Sequence, residues 1–477
     1  MKKIEKSVLD LIGNTPLYQI NSFDTGPCEL FVKLENQNPG GSIKDRIGLT
    51  IIEEAEKSGE LKPGGTIIEA TAGNTGIGLA LVAAIKGYKL IIVMPDKMSR
   101  DKILHVQGLG AEVVLTRSDV GKGHPEYYQD VAKKMSEEIK GSFLASQFTN
   151  PANALAHRTS TAPEIWEQME GDLDAVVLGI GSGGTVTGMG QFFKEKDKNI
   201  QIIAADPEGS IIADAVIKGN YKYDGATWLV EGIGEDFIPD VLDLGLLDDA
   251  VTVSDKEAFE VARKLLKEEG ILSGSSSGTL LAGAINWCKK QTEPKKVVTL
   301  ICDTGNKYLS KVFNDSWLQD NDLLDISLTG DLSDLINRRA DRGEMISVSE
   351  TDTLLTAYNR MRASDISQLP VILEEKLIGI VDEEDLLLTV FSDRKNFTKQ
   401  VSEVMTKDLD ITQVDASEES LFKTLQNGKV VIVYKDDTFL GFITKVDLIN
   451  KYKSEFKRGG NGNHQERALR SVILDSL

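Results

Sequence analysis

Four short stretches of the chain combine residue types and spacing that could do chemistry. In Asn38-Pro-Gly-Gly-Ser-Ile-Lys44-Asp-Arg46 a lysine follows a glycine-rich turn, and apolar residues at helical spacing then run to Lys57. Ser42 can cap such a helix, which puts Lys44 in its first turn. An ammonium at the positive end of a helix dipole is disfavoured, so the local field eases loss of its proton and suits the amine to a Schiff base. Alone, a lysine so placed is most often an ordinary solvated residue. The other three stretches change that reading.

Gly181-Ser-Gly-Gly-Thr185 follows a strand-like run and precedes a helical one. Glycines let the backbone approach an anion, and the helix adds its positive end, so Gly181, Ser182, Gly183, Gly184 and Thr185 read as a phosphate cradle. The loop lacks the spacing of a nucleoside triphosphatase or a dinucleotide fingerprint, which points to the phosphate of a small cofactor. Glu69-Ala-Thr71-Ala-Gly-Asn74-Thr75-Gly76 gathers hydroxyls, an amide and backbone N–H groups at a helix start, which suits a carboxylate and equally a well-capped helix. Ile271-Leu-Ser-Gly-Ser-Ser276-Ser-Gly278 is a similar hydroxyl-rich turn. Together these are the parts needed to hold pyridoxal phosphate and an amino acid. His105, His124, His157 and His464 form no ligand-spaced pair, and most of them read as surface or packing residues. No metal cluster or Ser-His-Asp arrangement competes.

Such loops need a scaffold, and residues 8 to 320 supply its pattern. Strand-like runs such as Thr66-Ile-Ile-Glu-Ala70, Lys89-Leu-Ile-Ile-Val-Met94 and Gln201-Ile-Ile-Ala-Ala205 alternate with amphipathic helical segments, the signature of a parallel sheet covered on both faces. Ligands in such sheets bind beyond the carboxyl ends of strands, where these loops lie. After Trp317 the chain becomes polar and acidic, then offers two similar units. Leu377-Ile-Gly-Ile-Val-Asp382-Glu-Glu-Asp385 answers Leu440-Gly-Phe-Ile-Thr444-Lys-Val-Asp447, each ending a β-α-β-β-α pattern. The expected organisation is a catalytic domain over residues 1–320, a linker over 321–328, repeats over 329–395 and 396–455, and a tail over 456–477.

Composition narrows the function classes. The chain has 477 residues with 54 basic against 74 acidic, a formal charge of −20, which disfavours nucleic acid or an anionic membrane as partner. Cys28, Cys288 and Cys302 lack disulfide or zinc spacing and read as reduced, buried thiols. No run approaches a membrane span, and the expected location is cytoplasmic.

Over essentially its whole length the sequence resembles the fold-type II pyridoxal phosphate enzymes of cysteine metabolism, most specifically the cystathionine β-synthases. The resemblance rests on Leu11-Ile-Gly-Asn-Thr-Pro-Leu17, Asn38 to Arg46, Ala72-Gly-Asn-Thr-Gly76, Gly181 to Thr185 and Asp206-Pro-Glu-Gly-Ser210, in the family's order. It implies two parallel-sheet α/β subdomains followed by a tandem CBS-domain pair. It also implies that Lys44 is the Schiff-base and catalytic lysine, that Asn74 bonds the cofactor's 3′ oxygen, and that Ser276 faces the pyridine nitrogen. Gly181 to Thr185 would hold the phosphate, and Thr71, Ala72, Asn74, Thr75 and Gln147 would surround the substrate carboxylate.

The activity implied is formation of cystathionine from serine, or O-acetylserine, and homocysteine in transsulfuration. Leu229 to Pro239, with Glu231 and Asp236, and Val312 to Trp317 look like the synthase version. The alternatives are a cysteine synthase using sulfide, a threonine or serine dehydratase, and a non-catalytic regulatory protein on the same scaffold. Phe148 stands where many cystathionine synthases carry tyrosine, and Ala72 where a serine is common, so O-acetylserine is expected to serve as well as serine or better. The resemblance begins at about Ser7, with no counterpart of the animal enzymes' haem segment, so no haem is expected. Thr444 and Asp447 fit the pattern of an adenosine-ligand site, with S-adenosylmethionine or an adenine nucleotide as ligand; the first repeat has Asp382 at the hydroxyl position, followed by Asp385. A homodimer or larger homo-oligomer is the family expectation.

Overall fold

The computed structural model describes residues 5–71, 73–96, 100–121, 123–221, 226–324, 329–336, 339–364 and 366–459. The chain divides into two units, Met1–Asp315 and Ser316–Leu477.

The first unit holds two sheets. Strands β1 (Leu17–Gln19), β2 (Glu29–Lys33), β7 (Ala175–Leu178), β8 (Gln201–Pro207), β9 (Asp249–Val253) and β10 (Lys296–Leu300) form one, in the order β1-β2-β10-β7-β8-β9. Strands β3 (Thr66–Ala70), β4 (Lys89–Pro95), β5 (Glu112–Thr116) and β6 (Ser142–Leu144) form the other, in the order β5-β4-β3-β6. Every pairing is parallel except β1 with β2. Central strands are buried on both faces, β7 along its whole length, as a parallel sheet under helices requires.

The glycine-rich turn leads from β2 into the helix Lys44–Ser58. Ser42 Oγ accepts from the Lys44 amide at 3.2 Å, and the helix ends at Gly59 in the left-handed conformation that C-caps favour. Its Ile47, Ile51, Ile52 and Ala55 share one core with Ile77, Leu79 and Val82 of the helix Asn74–Lys86 and with Ile67, Leu90 and Ile92 beneath. The two helices cross backbone to backbone. A Cβ on Gly78 would come within 2.5 Å of the Lys44 carbonyl oxygen, and one on Gly48 within 2.6 Å of the Gly78 carbonyl carbon. Only glycine allows that approach, and it holds Lys44 beside the Thr71–Gly76 loop.

A buried charge network anchors the other side of the turn. Arg46 pairs with both oxygens of Glu35 and both of Glu164, four bonds at 2.7 Å, while Lys33 Nζ reaches Glu164 at 2.8 Å. Lys33, Glu35 and Arg46 are sealed from solvent, so the cost of burial falls on groups that all have partners. Against burial, the Arg46 and Lys33 contacts hold the Glu164 carboxyl down to about 2.

The second unit repeats one motif. The first copy has the helix Leu354–Ser364, the hairpin of β11 (Gln368–Leu373) with β12 (Lys376–Asp382), and the helix Glu383–Ser392. The second has β13 (Ile411–Gln413), the helix Glu418–Gln426, the hairpin of β14 (Val431–Lys435) with β15 (Thr438–Ile443), and the helix Lys445–Gly459. Register shifts fall at corresponding places, Val371/Ile372 and Val433/Tyr434, and Ile380, Ile432 and Phe439 make a core shared by both hairpins.

The copies exchange segments, which boundaries at 329–395 and 396–455 do not anticipate. Leu332 and Ile336 pack in the second copy's core, and the Leu332 amide bonds the Val414 carbonyl at 2.9 Å. Val401 and Met405 pack in the first, where Thr406 and Ile380 exchange backbone hydrogen bonds. Apolar contact across the exchange outweighs sequence proximity. Of the expected linker, 325–328 lies outside the described residues, as does the tail beyond Gly459.

Gly78→Ala is expected to lower the stability of the first unit by about 1–3 kcal/mol, because the added carbon meets backbone that cannot rotate away. Thermal unfolding of the variant beside the parent checks this.

Candidate active site

A cavity of about 510 Å³ opens at the carboxyl ends of both sheets, lined among others by Lys44, Thr71, Asn74, Thr75, Gln147, Phe148, Gly181, Ser182, Gly183, Thr185 and Ser276. The residues singled out in four separate stretches therefore converge. Gly184 begins the helix Gly184–Lys196 behind the cradle. Ala72 lies outside the described residues.

The lysine turn is joined to the loop after β10. Ile43 N bonds the Cys302 carbonyl at 2.8 Å, and Thr304 N bonds the Gly41 carbonyl at 3.0 Å. Burial lowers the Lys44 pKa, with Cys302, Glu235 and Asp303 opposing the shift. From sequence that shift is expected from the helix dipole. Desolvation is the larger cause, because an ammonium in this enclosed site loses its water.

Gly183 sits at φ 85° with its α-carbon pressed on Leu242, where a Cβ would meet Leu242 Cβ at 2.6 Å. A Cβ on Gly181 would come within 2.5 Å of the Gly232 carbonyl oxygen. The cradle is thus bare backbone, and the first N–H groups of the helix that follows have no carbonyl one turn back. Asn153 Nδ2 donates to Ser182 Oγ at 2.8 Å, and His157 Nε2 stands 3.2 Å from Thr185 Oγ1. His157 lies in a short π-helical turn, His157–Thr161, with Nδ1 2.9 Å from Thr161 Oγ1. Burial, with Lys44 and Arg46 nearby, keeps its imidazole neutral. A surface or packing assignment for this histidine is therefore incomplete: it braces the cradle.

At the other loop, Thr75 Oγ1 donates to Gln147 Oε1 at 2.7 Å and Gln147 Nε2 lies 3.5 Å from Thr71 Oγ1. Asn74 turns elsewhere. Its Nδ2 donates to Asp303 Oδ2 at 2.7 Å and its Oδ1 accepts from Lys307 Nζ at 2.6 Å. Ser276, at the start of the helix Ser275–Lys289, faces the cavity with Cys302 beside it, and burial pushes the Cys302 thiol up to about 12. Cys28 and Cys288 are buried free thiols as expected, while Cys302 lines the site.

The mouth of the cavity carries charges that sequence spacing did not reveal. Glu231 pairs with Lys102 and, at 2.7 Å, with Lys311, which hold its carboxyl down against burial. Among the described residues the Glu235 side chain makes no hydrogen bond or ion pair; burial, then the Asp236 charge, pushes its carboxyl up to about 8. Phe148 packs on Phe237 with ring centroids 5.7 Å apart.

In the second unit, Thr444 donates through N and Oγ1 to Asp447 Oδ2 at 2.7 and 2.6 Å. Asp382 and Asp385 form the corresponding reciprocal cap in the first copy, which accounts for an aspartate at the hydroxyl position. Among the described residues no cluster of metal-ligating side chains occurs, and no helix is long and apolar enough to cross a membrane.

The sequence profile described as pyridoxal-phosphate dependent enzyme matches residues 8–303, and that of the CBS domain matches residues 333–392. Cystathionine beta-synthase of Dictyostelium discoideum is 40% identical over 465 residues, 94% of this chain and 92% of that protein. The chain belongs to the cystathionine beta-synthase family of pyridoxal-phosphate dependent enzymes. Another cystathionine beta-synthase, of Apis mellifera, is 37% identical over 94% of this chain and 90% of its own. Two solved structures share the fold of the family's catalytic part. A hydrogen sulfide-producing enzyme from Fusobacterium nucleatum has a TM-score of 0.59 at 41% identity, covering 64% of this chain and all of its own, and O-ureido-L-serine synthase has 0.61 at 35%, covering 66% and 96%. The chain is thus a fold-type II pyridoxal phosphate enzyme with a C-terminal CBS module.

Just before the Thr71 loop, burial pushes the Glu69 carboxyl up to about 7 against the backbone amides of Gln147 and Ser146. A raised carboxyl contributes stability below its ordinary range and loses it as pH rises through the raised value. Glu69→Gln cannot titrate. The variant is therefore expected to gain on the parent by on the order of 2 kcal/mol between about pH 5 and 8, read from urea midpoints at each pH.

Proposed function

We propose that the chain joins L-serine or O-acetylserine to L-homocysteine to give L-cystathionine, with pyridoxal 5′-phosphate as cofactor. One observation carries the reading: a desolvated Lys44 faces the same cavity as a backbone phosphate cradle and the Thr71–Thr75–Gln147 cluster. The residues fit the cofactor, because the space that side chains would fill at Gly181 and Gly183 is closed to anything but backbone.

When bound, pyridoxal phosphate supplies the electron sink that acidifies the substrate's α-hydrogen and lets the β-substituent leave. Lys44 would bind it, and its Nζ, whose proton burial loosens, would take the α-proton. The amides of Gly181 to Thr185 hold the phosphate, with Asn153 and His157 fixing Ser182 and Thr185. Gln147 spends its oxygen on Thr75, so its amide N–H groups and the Thr71 hydroxyl are the donors for the substrate carboxylate. Ser276 offers the ring nitrogen an uncharged partner, which moderates the sink and favours β-elimination.

Phe148 against Phe237 gives the cavity a hydrocarbon wall where a hydroxyl would ease departure of hydroxide. An ester leaving group suits that wall better. Thr444 and Asp447, at the junction of β15 and its helix, are the proposed hold for an adenosine compound such as S-adenosylmethionine. The protein is read as a cytoplasmic homodimer or larger homo-oligomer.

The test is a side-by-side product assay on yellow protein with homocysteine plus serine, homocysteine plus O-acetylserine, and sulfide plus O-acetylserine. Cystathionine is expected to dominate, with O-acetylserine at least equal to serine as donor. Cysteine from sulfide dominating would favour the cysteine synthase reading, and serine far exceeding O-acetylserine would contradict the role given to Phe148. Phe148→Tyr is expected to raise turnover with serine by about a hundredfold, the low end for a positioned proton donor.

A further inference from the structure

Asn74 is held at both ends of its amide by groups that read it in one direction only. Asp303 Oδ2, 2.7 Å from Nδ2, also takes the Tyr308 hydroxyl at 2.7 Å. Lys307 Nζ, 2.6 Å from Oδ1, has no acceptor to offer as an ammonium, and its second contact is the Gly40 carbonyl at 3.4 Å. A carboxylate on the nitrogen and an ammonium on the oxygen exclude the flipped amide, which would set acceptor against acceptor and donor against donor. Nδ2 faces Asp303 with the Tyr308 hydroxyl beside it, and its remaining hydrogen is the one the cavity that Asn74 lines can draw on.

We propose that Lys307 is a positioning residue: it locks the Asn74 amide so that one Nδ2 hydrogen points at the cofactor's 3′ oxygen, and it ties that amide to the glycine turn that carries Lys44. This rests on the reading of Asn74 as donor to that oxygen. Lys307 does not line the cavity. Gly40 N also donates to Asp45 Oδ2 at 2.5 Å, so the turn is gripped through both its amide and its carbonyl. Without Lys307, the Asn74 oxygen loses its partner and the amide is free to rotate, presenting an oxygen to an oxygen for part of the time.

A donor at the 3′ oxygen favours its ionised form, so the ratio of the long-wavelength to the short-wavelength absorption band of the bound cofactor reports the lock. Lys307→Met, purified with cofactor, is expected to lower that ratio about fivefold, the effect of one lost hydrogen bond, and Lys307→Arg to restore most of it. In an Asn74→Ala background Lys307→Met is expected to change the ratio no further, as coupling through one amide requires. A parent-like ratio in Lys307→Met, or an undiminished shift in the Asn74→Ala background, would overturn the proposal. Lys307→Gln serves if the methionine variant does not fold. Lys44→Ala separates the two levels: a visible band surviving in it overturns the cofactor site itself, whereas a parent-like Lys307→Met in protein that loses the band with Lys44→Ala overturns the lock alone.

Discussion

Two helices of the catalytic unit touch through their backbones, and the active site depends on that contact. Gly48 and Gly78 leave no side chain between the helix that begins at Lys44 and the one that begins at Asn74. The amine and the Thr71 loop therefore share one crossing rather than two separately placed elements. Apolar residues on the remaining faces of both helices weld the crossing to the smaller sheet, and the Glu35–Arg46–Glu164–Lys33 network pins the glycine turn from the opposite side. The larger sheet contributes the cradle and Ser276, so the cavity lies where both sheets end.

Desolvation then sets the chemistry. The same enclosure that lowers Lys44 raises the carboxyls of Glu69 and Glu235 and the thiol of Cys302, and keeps His157 neutral. Each shift favours the uncharged form, which is what burial dictates when no partner compensates. Where partners do compensate, as at Glu231 and Glu164, the charge survives. A site built this way presents an amine that gives up its proton more easily and fixed dipoles instead of solvated ions, the setting in which proton removal and anion binding both work best.

Much of this was legible in the sequence, for identifiable reasons. Glycines at 181 to 184, the hydroxyl-rich loops and the apolar strand runs each carry a local signal, so the parallel α/β class, the cradle and the loops of Lys44, Thr71 and Thr75 could be read from spacing, whereas Gln147 came only with the family resemblance. His157, Asn153, Asp303 and Lys307 could not. Each reaches the site from an element distant in sequence, and none sits in a pattern of its own. The segment exchange between the repeats was hidden for a related reason: Leu332 and Val401 look like ordinary apolar residues of the copy they precede, and only packing decides which core they complete. The cause of the Lys44 shift was misassigned because a helix start is visible in sequence and an enclosure is not.

The most direct test of the account is to reduce the yellow protein with borohydride, digest it and map the cofactor-bearing peptide by mass. The label is expected on Lys44, in the peptide that carries the glycine turn. Label on Lys102, Lys307 or Lys311 instead, or no covalent label on a protein that binds the cofactor, would contradict it.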